Sequence, residues 1–392
     1  MKKLKVVVAA VAASTAVGGL AACGSSDKSG SEGLPKGEIK IGALFTLSGP
    51  SAAIGGAQKA AFDVLVGRLN AAGGIAGRKV KFLAVNDQGD PAVAVSGAKK
   101  LVDQGVAAVV YAGTSAVSGQ TIPVLMKSKV PIVSLDSNTA YADPSKYPYM
   151  FTTYPSDEQT MKNLVSAAQS RGSKKLGIIS DGLPYGDNIA KFLGTAAEEA
   201  DLAVTKKVTY AASAVDVTSQ LRQLKSDGAD ALAVLSTAGL DHVYDGLRTI
   251  GWTPQIFTTA VAYFVGYDSL GNLSGSAFAN CNVPLAQGAS PDAGTEAVLK
   301  AVSDKTGVTP STPTAIIFND DLGLVKAAIE TSKSVDPDKM RAALEGMTDF
   351  SYTSPTYTYG FSASDHAGFP DEEVGLCRLK PLGPYDYPYS AD

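Results

Sequence analysis

Short apolar runs alternate with longer mixed segments along most of this chain, beginning at Glu38. EIKIGALF, KVKFLAVND, AAVVYAG and VPIVSLDS are each a handful of β-branched or aliphatic residues, the length and composition of strands buried on both faces. Between them, Ala53 to Asn70, Pro91 to Gly105 and Gln120 to Ser128 read as helices. Strands separated by helices of this length call for right-handed crossovers and a parallel sheet covered on both sides. The rhythm pauses at YPYMFTTYPSDEQT and restarts with Asp157 to Gly172, KLGIISDG, Gly186 to Glu199, AVTKKVTY, Val215 to Gly228, ADALAVLST, Asp241 to Ile250 and QIFTTA. Two successive repeats predict an α/β fold of two doubly wound parallel-sheet lobes.

After SAFANCNVPLA come further helical segments, Pro291 to Lys305, Thr314 to Ser332 and Pro337 to Gly346. They exceed what the second lobe needs, so the chain is expected to cross back: residues 38–153 and 284–350 form one lobe, 154–283 and 351–392 the other. The tail is rich in Tyr, Pro, Ser and Gly, with strand-like alternation around Tyr352 to Phe361 and Val374 to Leu379, and reads as hairpins on the hinge side and the second lobe.

The first residues change the picture from fold to location. Lys2, Lys3 and Lys5 precede an apolar stretch, Val6 to Leu20, too short to span a bilayer and typical of an export leader. Leu20, Ala21, Ala22 and Cys23 resemble the lipobox of bacterial lipoproteins, which implies a leader of residues 1–22 and acylation of Cys23. Residues 23–37, Gly/Ser-rich and without aromatics, read as a flexible tether. The expected location is the extracytoplasmic face of the cell membrane, held by lipid.

The whole chain carries 34 basic and 38 acidic residues, a net charge of −4; losing three leader lysines and no acid takes it to −7. No basic surface for nucleic acid follows from that balance. With Cys23 acylated, Cys281 and Cys377 remain in an oxidising compartment, where a disulfide is expected and two buried thiols are the alternative. His242 and His366 sit at no ligand spacing with a cysteine, so neither metal nor cofactor is expected.

Ser115 opens the question of chemistry, because GTSAV begins like a nucleophile elbow on a strand-to-helix turn. Val117 stands where that turn needs its second glycine. The available bases are His242, on the polar face of LDHVYDGLRTIG, and His366, in the loop-like SASDHAGFP. A serine hydrolase is therefore the weaker reading and a non-enzyme the expected one. Dinucleotide binding is excluded on the same footing: SAAIGGAQKAA and NAAGGIAG do not form a Gly-x-Gly-x-x-Gly after a strand. At a strand's end, before a helix N-terminus, Ser115 suits an anion pocket made of a hydroxyl and fixed backbone dipoles.

TLSGP before a helix, NAAGGIAGRKV before an acidic strand end, GIISDGLPYG and LRTIGW occur together in this order. With these motifs the exported chain resembles, over essentially its whole length, the type I solute-binding proteins of ABC transporters, especially the branched-chain amino-acid-binding group. The resemblance implies a monomeric Venus-flytrap that closes over one small-molecule ligand, about hinge strands near Thr152 to Pro155 and Asn280 to Pro284, and delivers it to the membrane subunits of an ABC permease. It implies a ligand carboxylate held by Ser115, Ala116, Asp136, Ser137 and Asn138, and closure by Tyr185.

Departures from the pattern bear on the ligand. Ala260 stands where an acidic residue commonly takes the ligand's ammonium, and Ser236 and Thr237 where a Tyr is often found. Unless Asp136 or Asp181 replaces that acid, an ammonium would be left unpaired at high cost. The ligand class therefore spans branched-chain or other apolar amino acids and related carboxylates or amides, with Tyr263 and Phe264 as candidates for an apolar wall. A ligand-sensing receptor subunit of the same fold meets the same requirements of capture and closure.

Overall fold

The computed structural model describes residues 33–49, 51–113, 115–263, 269–282, 293–306, 312–352, 358–369, 374–379 and 389–390. The expected leader, the acylated Cys23 and most of the tether lie outside them, as does Phe264. Among the described residues no helix is long and apolar enough to cross a membrane.

Five strands, β1 (Ile39–Phe45), β2 (Val80–Asn86), β3 (Ala108–Tyr111), β4 (Ile132–Ser134) and β5 (Met150–Thr152), form a wholly parallel sheet in the order β2-β1-β3-β4-β5. The strand β5 is hidden in the sequence pause, where Met150, Phe151 and Thr152 are a short run between prolines and tyrosines. A second sheet contains β6 (Lys175–Ser180), β7 (Ala203–Thr209), β8 (Ala231–Leu235), β9 (Gln255–Thr258), β10 (Ala277–Asn282), β11 (Val374–Leu379) and β12 (Tyr389–Ser390). Its order is β12-β11-β10-β9-β8-β6-β7, so its parallel part, read from β7 to β10, repeats the order of the first sheet. Each sheet reverses its winding once, between β1 and β3 and between β6 and β8. That reversal opens a crevice at the carboxyl ends of the strands, where such sheets bind ligands.

Helices α1 (Ala52–Ala71), α2 (Pro91–Asp103) and α3 (Ser115–Lys127) cross over in the first unit, and α4 (Asp157–Ser170), α5 (Pro184–Glu199), α6 (Thr218–Ser226) and α7 (Leu240–Thr249) serve the second. Local chemistry starts several of them. Asp90 accepts the N–H groups of Ala92 and Val93 at 2.8 and 3.0 Å with Pro91 in the first turn, a cap that stabilises a helix by about 1 kcal/mol. In contrast, α3 begins five residues before the predicted Gln120, because Val117, Gly119 and Pro123 mute its helical signal. Packing supplies what propensity lacks: Val117, Ile122 and Leu125 are fully buried.

The helices Ala293–Thr306 and Thr312–Ser332 lie against α1, and the longer one also against β3 and β4. Phe318 meets Phe62 edge-on at 5.0 Å, and Phe62 stacks on Phe82 at the same distance. The tail then divides. Phe350 and Tyr359 exchange backbone hydrogen bonds of 2.9 and 2.8 Å, Thr152 N–H donates to His366 O at 2.9 Å, and Gly368 N–H to Thr152 O at 2.8 Å. Residues 366–368 therefore pair with the β5 edge of the first sheet, through the parallel bridge of Thr152 with Ala367, whereas the sequence places everything from residue 351 in the second lobe; among the described residues of the tail, β11 and β12 join the second sheet. Apolar anchoring explains the difference: Tyr359, Phe361 and His366 are buried, and the His366 ring stacks on Phe151 at 4.0 Å.

The β10–β11 register sets Cys281 opposite Gly375 and Cys377 opposite Ala279. The two cysteines are thus diagonal neighbours on one face, at about 7–8 Å for such positions, beyond the span most disulfides bridge. Their side chains lie outside the described residues. Of the chain crossings, residues 153–156 are described, while 283–292 and 370–373 are not, so part of the second expected hinge falls outside as well.

Candidate functional site

A cavity of about 150 Å³ opens at the carboxyl ends of both sheets. From the first unit it is walled by Thr46 after β1, Ile54, Gly55 and Gln58 of α1, Ala112 and Gly113 after β3, and Leu135, Asp136 and Ser137 after β4. From the second come Tyr185 after β6, Thr237 after β8 and Val261 after β9, and Tyr154 stands on the crossing between them. None of these residues is cationic. The N-terminal ends of α1 and α3 both open at this wall, so the positive partial charge available to an anion comes from backbone N–H groups.

Backbone proximity fixes the first wall. A Cβ on Gly55 would lie 2.0 Å from Thr46 O, so only glycine lets the first turn of α1 close on the end of β1. Thr46 donates its hydroxyl to Asp87 Oδ1 at 2.7 Å, and Asp87 also accepts Gly89 N–H at 2.9 Å. The buried Asp87 carboxyl thereby holds Thr46 against the cavity.

The loop after β4 folds through its own side chains. Asp136 N–H donates to Ser134 Oγ at 3.0 Å, Asn138 N–H to Asp136 Oδ1 at 3.0 Å, and Ala140 N–H to Asn138 Oδ1 at 3.1 Å, a succession of turns that Ser, Asp and Asn favour. Burial pushes the Asp136 carboxyl up to about 7; the Asn138 N–H works against that rise and the nearby Asp157 carboxylate adds to it. Asp157, buried in the first turn of α4, is raised by burial as well, with relief from the Ser137 hydroxyl and the Asn188 amide.

On the opposite wall Asp181 is committed to the scaffold. It accepts Thr237 N–H at 2.6 Å, Ala238 N–H at 3.0 Å, Leu183 N–H at 3.1 Å and the Thr237 hydroxyl at 3.1 Å. It presents Thr237 to the cavity, and both of its oxygens already accept hydrogen bonds from the scaffold. Tyr185, half-buried in the first turn of α5, has its phenol raised well above the usual range, chiefly by burial.

Of the residues predicted from sequence, the cavity brings together Asp136, Ser137, Tyr185 and Thr237. Asn138 lies one step further, in an adjoining chamber. Ser115 is the first residue of α3 and Ala116 the second, directly after the Gly113 wall; their side chains are outside the described residues, as is that of Tyr263. Ser236 and Ala260 are buried and do not line the cavity, because the strand-end alternation turns their neighbours Thr237 and Val261 toward it. Thr46 and Tyr154 join the wall without a ligand signal of their own in the sequence, although TLSGP carries the first at a strand end and the expected hinge, Thr152 to Pro155, contains the second. His366 is a buried core residue, with Nδ1 2.8 Å from Met150 O and Nε2 3.3 Å from Glu345 Oε1.

Residues 38–378 match the model of the periplasmic binding protein family. The Leu/Ile/Val-binding protein homolog 7 of Brucella abortus (strain 2308) is 28% identical over 213 residues, 51% of this chain and 52% of that protein. The chain thus spans about half the length of the curated relatives it matches. Among solved structures, a periplasmic binding protein type 1 from Bordetella pertussis Tohama I superposes with a TM-score of 0.76 at 20% identity, over 88% of this chain and 98% of that one. A solute-binding protein of an ABC transporter from Rhodopseudomonas palustris HaA2, in complex with p-hydroxybenzoic acid, does so with a TM-score of 0.73 at 20% identity, over 89% and 94%. Two doubly wound sheets of one strand order, a cleft walled by both, and a family match over nearly the full described length agree: the chain belongs to the periplasmic binding protein family, with the two-lobed type I fold.

Proposed function

We propose that this chain is an extracytoplasmic solute-binding lipoprotein that captures a small, half-apolar organic solute between its lobes and passes it unchanged to an ABC permease. The observation that carries this reading is the two-sided wall: Leu135, Asp136 and Ser137 face Tyr185, Thr237 and Val261 across one cavity. A solute touching both sides favours closure by its differential affinity for the closed form. A volume of about 150 Å³ is the size that holds a benzene ring. The names of similar proteins bracket this range, from Leu/Ile/Val to p-hydroxybenzoic acid.

Ser115 serves as a holding group in this reading. Both ring nitrogens of His366 are engaged with Met150 and Glu345, and His242 stands on α7 beside Asp241 at 3.9 Å. Asp136 supplies the carboxyl that Ala260 lacks. Cys23 would carry the lipid, and the protein would work as a monomer at the membrane surface.

A thermal-shift screen against branched-chain amino acids, their deaminated carboxylates, aromatic acids and amides tests the proposal. A true ligand at a hundred times its Kd stabilises by about 2.7 kcal/mol. No stabiliser in any of the four classes, with no binding of an arylalkylamine either, would overturn it. Cys23→Ala should release the protein from the membrane fraction, and retention there would remove the lipid anchor.

A further inference from the structure

A second cavity of about 330 Å³ lies beyond Asp136, on the hinge side. The two cavities share Asp136, Ser137 and Tyr154 in their linings, so these three residues stand where they adjoin. Their chemistry differs. The first has apolar walls, Ile54, Leu135 and Val261 among them, whereas the second is bordered by Asn138, Glu158, Gln159 and Asp365 and has no cationic side chain in its lining. Glu158 shares its charge with Lys162 at 2.8 Å. Asp365 Oδ1 accepts Ala367 N–H at 2.9 Å, and Gln159 gives its amide to Asn163 at 2.9 Å and keeps its oxygen as an acceptor.

We infer that the second chamber is the continuation of the ligand site, and that the solute is bipartite: an apolar body fills the first cavity and an amine-bearing tail passes Asp136 into the second. This rests on the solute-binding reading above and names its substrate class. An ammonium where the two cavities adjoin meets the Asp136 carboxylate and, further out, the acceptor oxygens of Gln159 and Asp365. A tail ending in carboxylate would meet like charges there. An uncharged tail would gain no charge-assisted hydrogen bond.

Calorimetric titration of the purified chain with 3-phenylpropylamine, 3-phenylpropanol and 3-phenylpropanoate decides it, since the three differ only at the tail. The amine should bind more tightly than the alcohol by about tenfold or more, the step one charge-assisted hydrogen bond supplies, and the propanoate more weakly than either. Asp136→Asn should collapse the amine's advantage. Gln159→Trp, which fills the second chamber alone, should cancel the difference between amine and alcohol. Equal binding of amine and alcohol by the unaltered chain, with neither substitution changing their ratio, would overturn the extension and leave the first-cavity reading in place. Binding by none of the three, together with a blank four-class screen, would overturn both.

Discussion

Asp136→Asn is the substitution with the most informative pH dependence. A carboxyl moved from 3.8 to about 7 is disfavoured in its charged form by roughly 4 kcal/mol, at about 1.4 kcal/mol per pH unit. The folded protein keeps this proton to a higher pH than the unfolded chain does. Stability is therefore lost as pH rises from about 4 to about 7, and the loss is complete above that window. Asparagine keeps the shape and the Oδ1 acceptor for Asn138 N–H but cannot ionise. The variant's stability advantage over the native chain should thus widen by up to roughly 2.5 kcal/mol between pH 5 and pH 8, a ceiling because Asp136 keeps some contact with solvent in the cleft. Asp157 and Asp321, also raised by burial, are present in both proteins, so the difference isolates Asp136 apart from its coupling to Asp157. Urea unfolding followed by circular dichroism at three pH values measures it. Parallel pH profiles for the two proteins would refute the reasoning.

Tyr185→Ala should speed ligand release by about tenfold while changing capture less, since closing contacts act mainly on dissociation; stopped-flow release with an unaltered rate would remove Tyr185 from the closing wall. Gly55→Ala places a Cβ 2.0 Å from Thr46 O, so it should cost about 1–3 kcal/mol and weaken binding together, measured by denaturation and calorimetry. Thr153→Val removes a hydroxyl lying 2.7 Å from Asp321 Oδ1 and 3.0 Å from Ser134 O, an expected loss of about 1–3 kcal/mol; an unchanged urea midpoint would show that this pair does not hold the crossing. In the chain acylated at Cys23, the diagonal β10–β11 register predicts two titratable thiols after denaturation, from Cys281 and Cys377, and a count of zero would show that these two are bonded after all.

What was legible in the sequence was whatever a local pattern carries. Ile39 to Phe45 and Ala231 to Leu235 are apolar runs flanked by turn residues, and both are strands. Helix boundaries came within a few residues wherever a cap or a proline marked them, as at Pro91 and Pro337. The start of α3 was missed because tertiary packing overrides a poor local propensity, and β5 because three residues between turns give no period to read. Pairings across long sequence separations left no local trace. Asp181 meets Thr237, and Asp321 meets Thr153, only through the fold. Sequence could name Asp181 as an acid near the site, but it took the geometry to show that backbone N–H groups already occupy it. His366 read as a loop residue for the same reason: its burial depends on Phe151 and Glu345, neither of which is near it in the chain.

The loop that walls the cavity is also tied to the crossing between the lobes. Thr153 N–H donates to Ser134 O at 2.9 Å, and Asp157 N–H to Ser137 O at 3.0 Å. Between these two anchors lie Asp136, which faces the cavity, and Tyr154, which lines both chambers. A rotation about residues 153–156 that carries α4 with the second lobe must therefore either keep Ser137 with it or break the Asp157 bond. The cavity wall and the crossing share one short segment, so a solute held by Asp136 and Ser137, as proposed, would act on the crossing without any relay through the sheets. Such a ligand shifts the lobes only as far as it prefers one arrangement of this loop over the other. It follows that substitutions at Ser137 should alter the open–closed balance of the free protein as well as affinity, whereas substitutions at Val261, on the far wall, should act on that balance only when solute is bound.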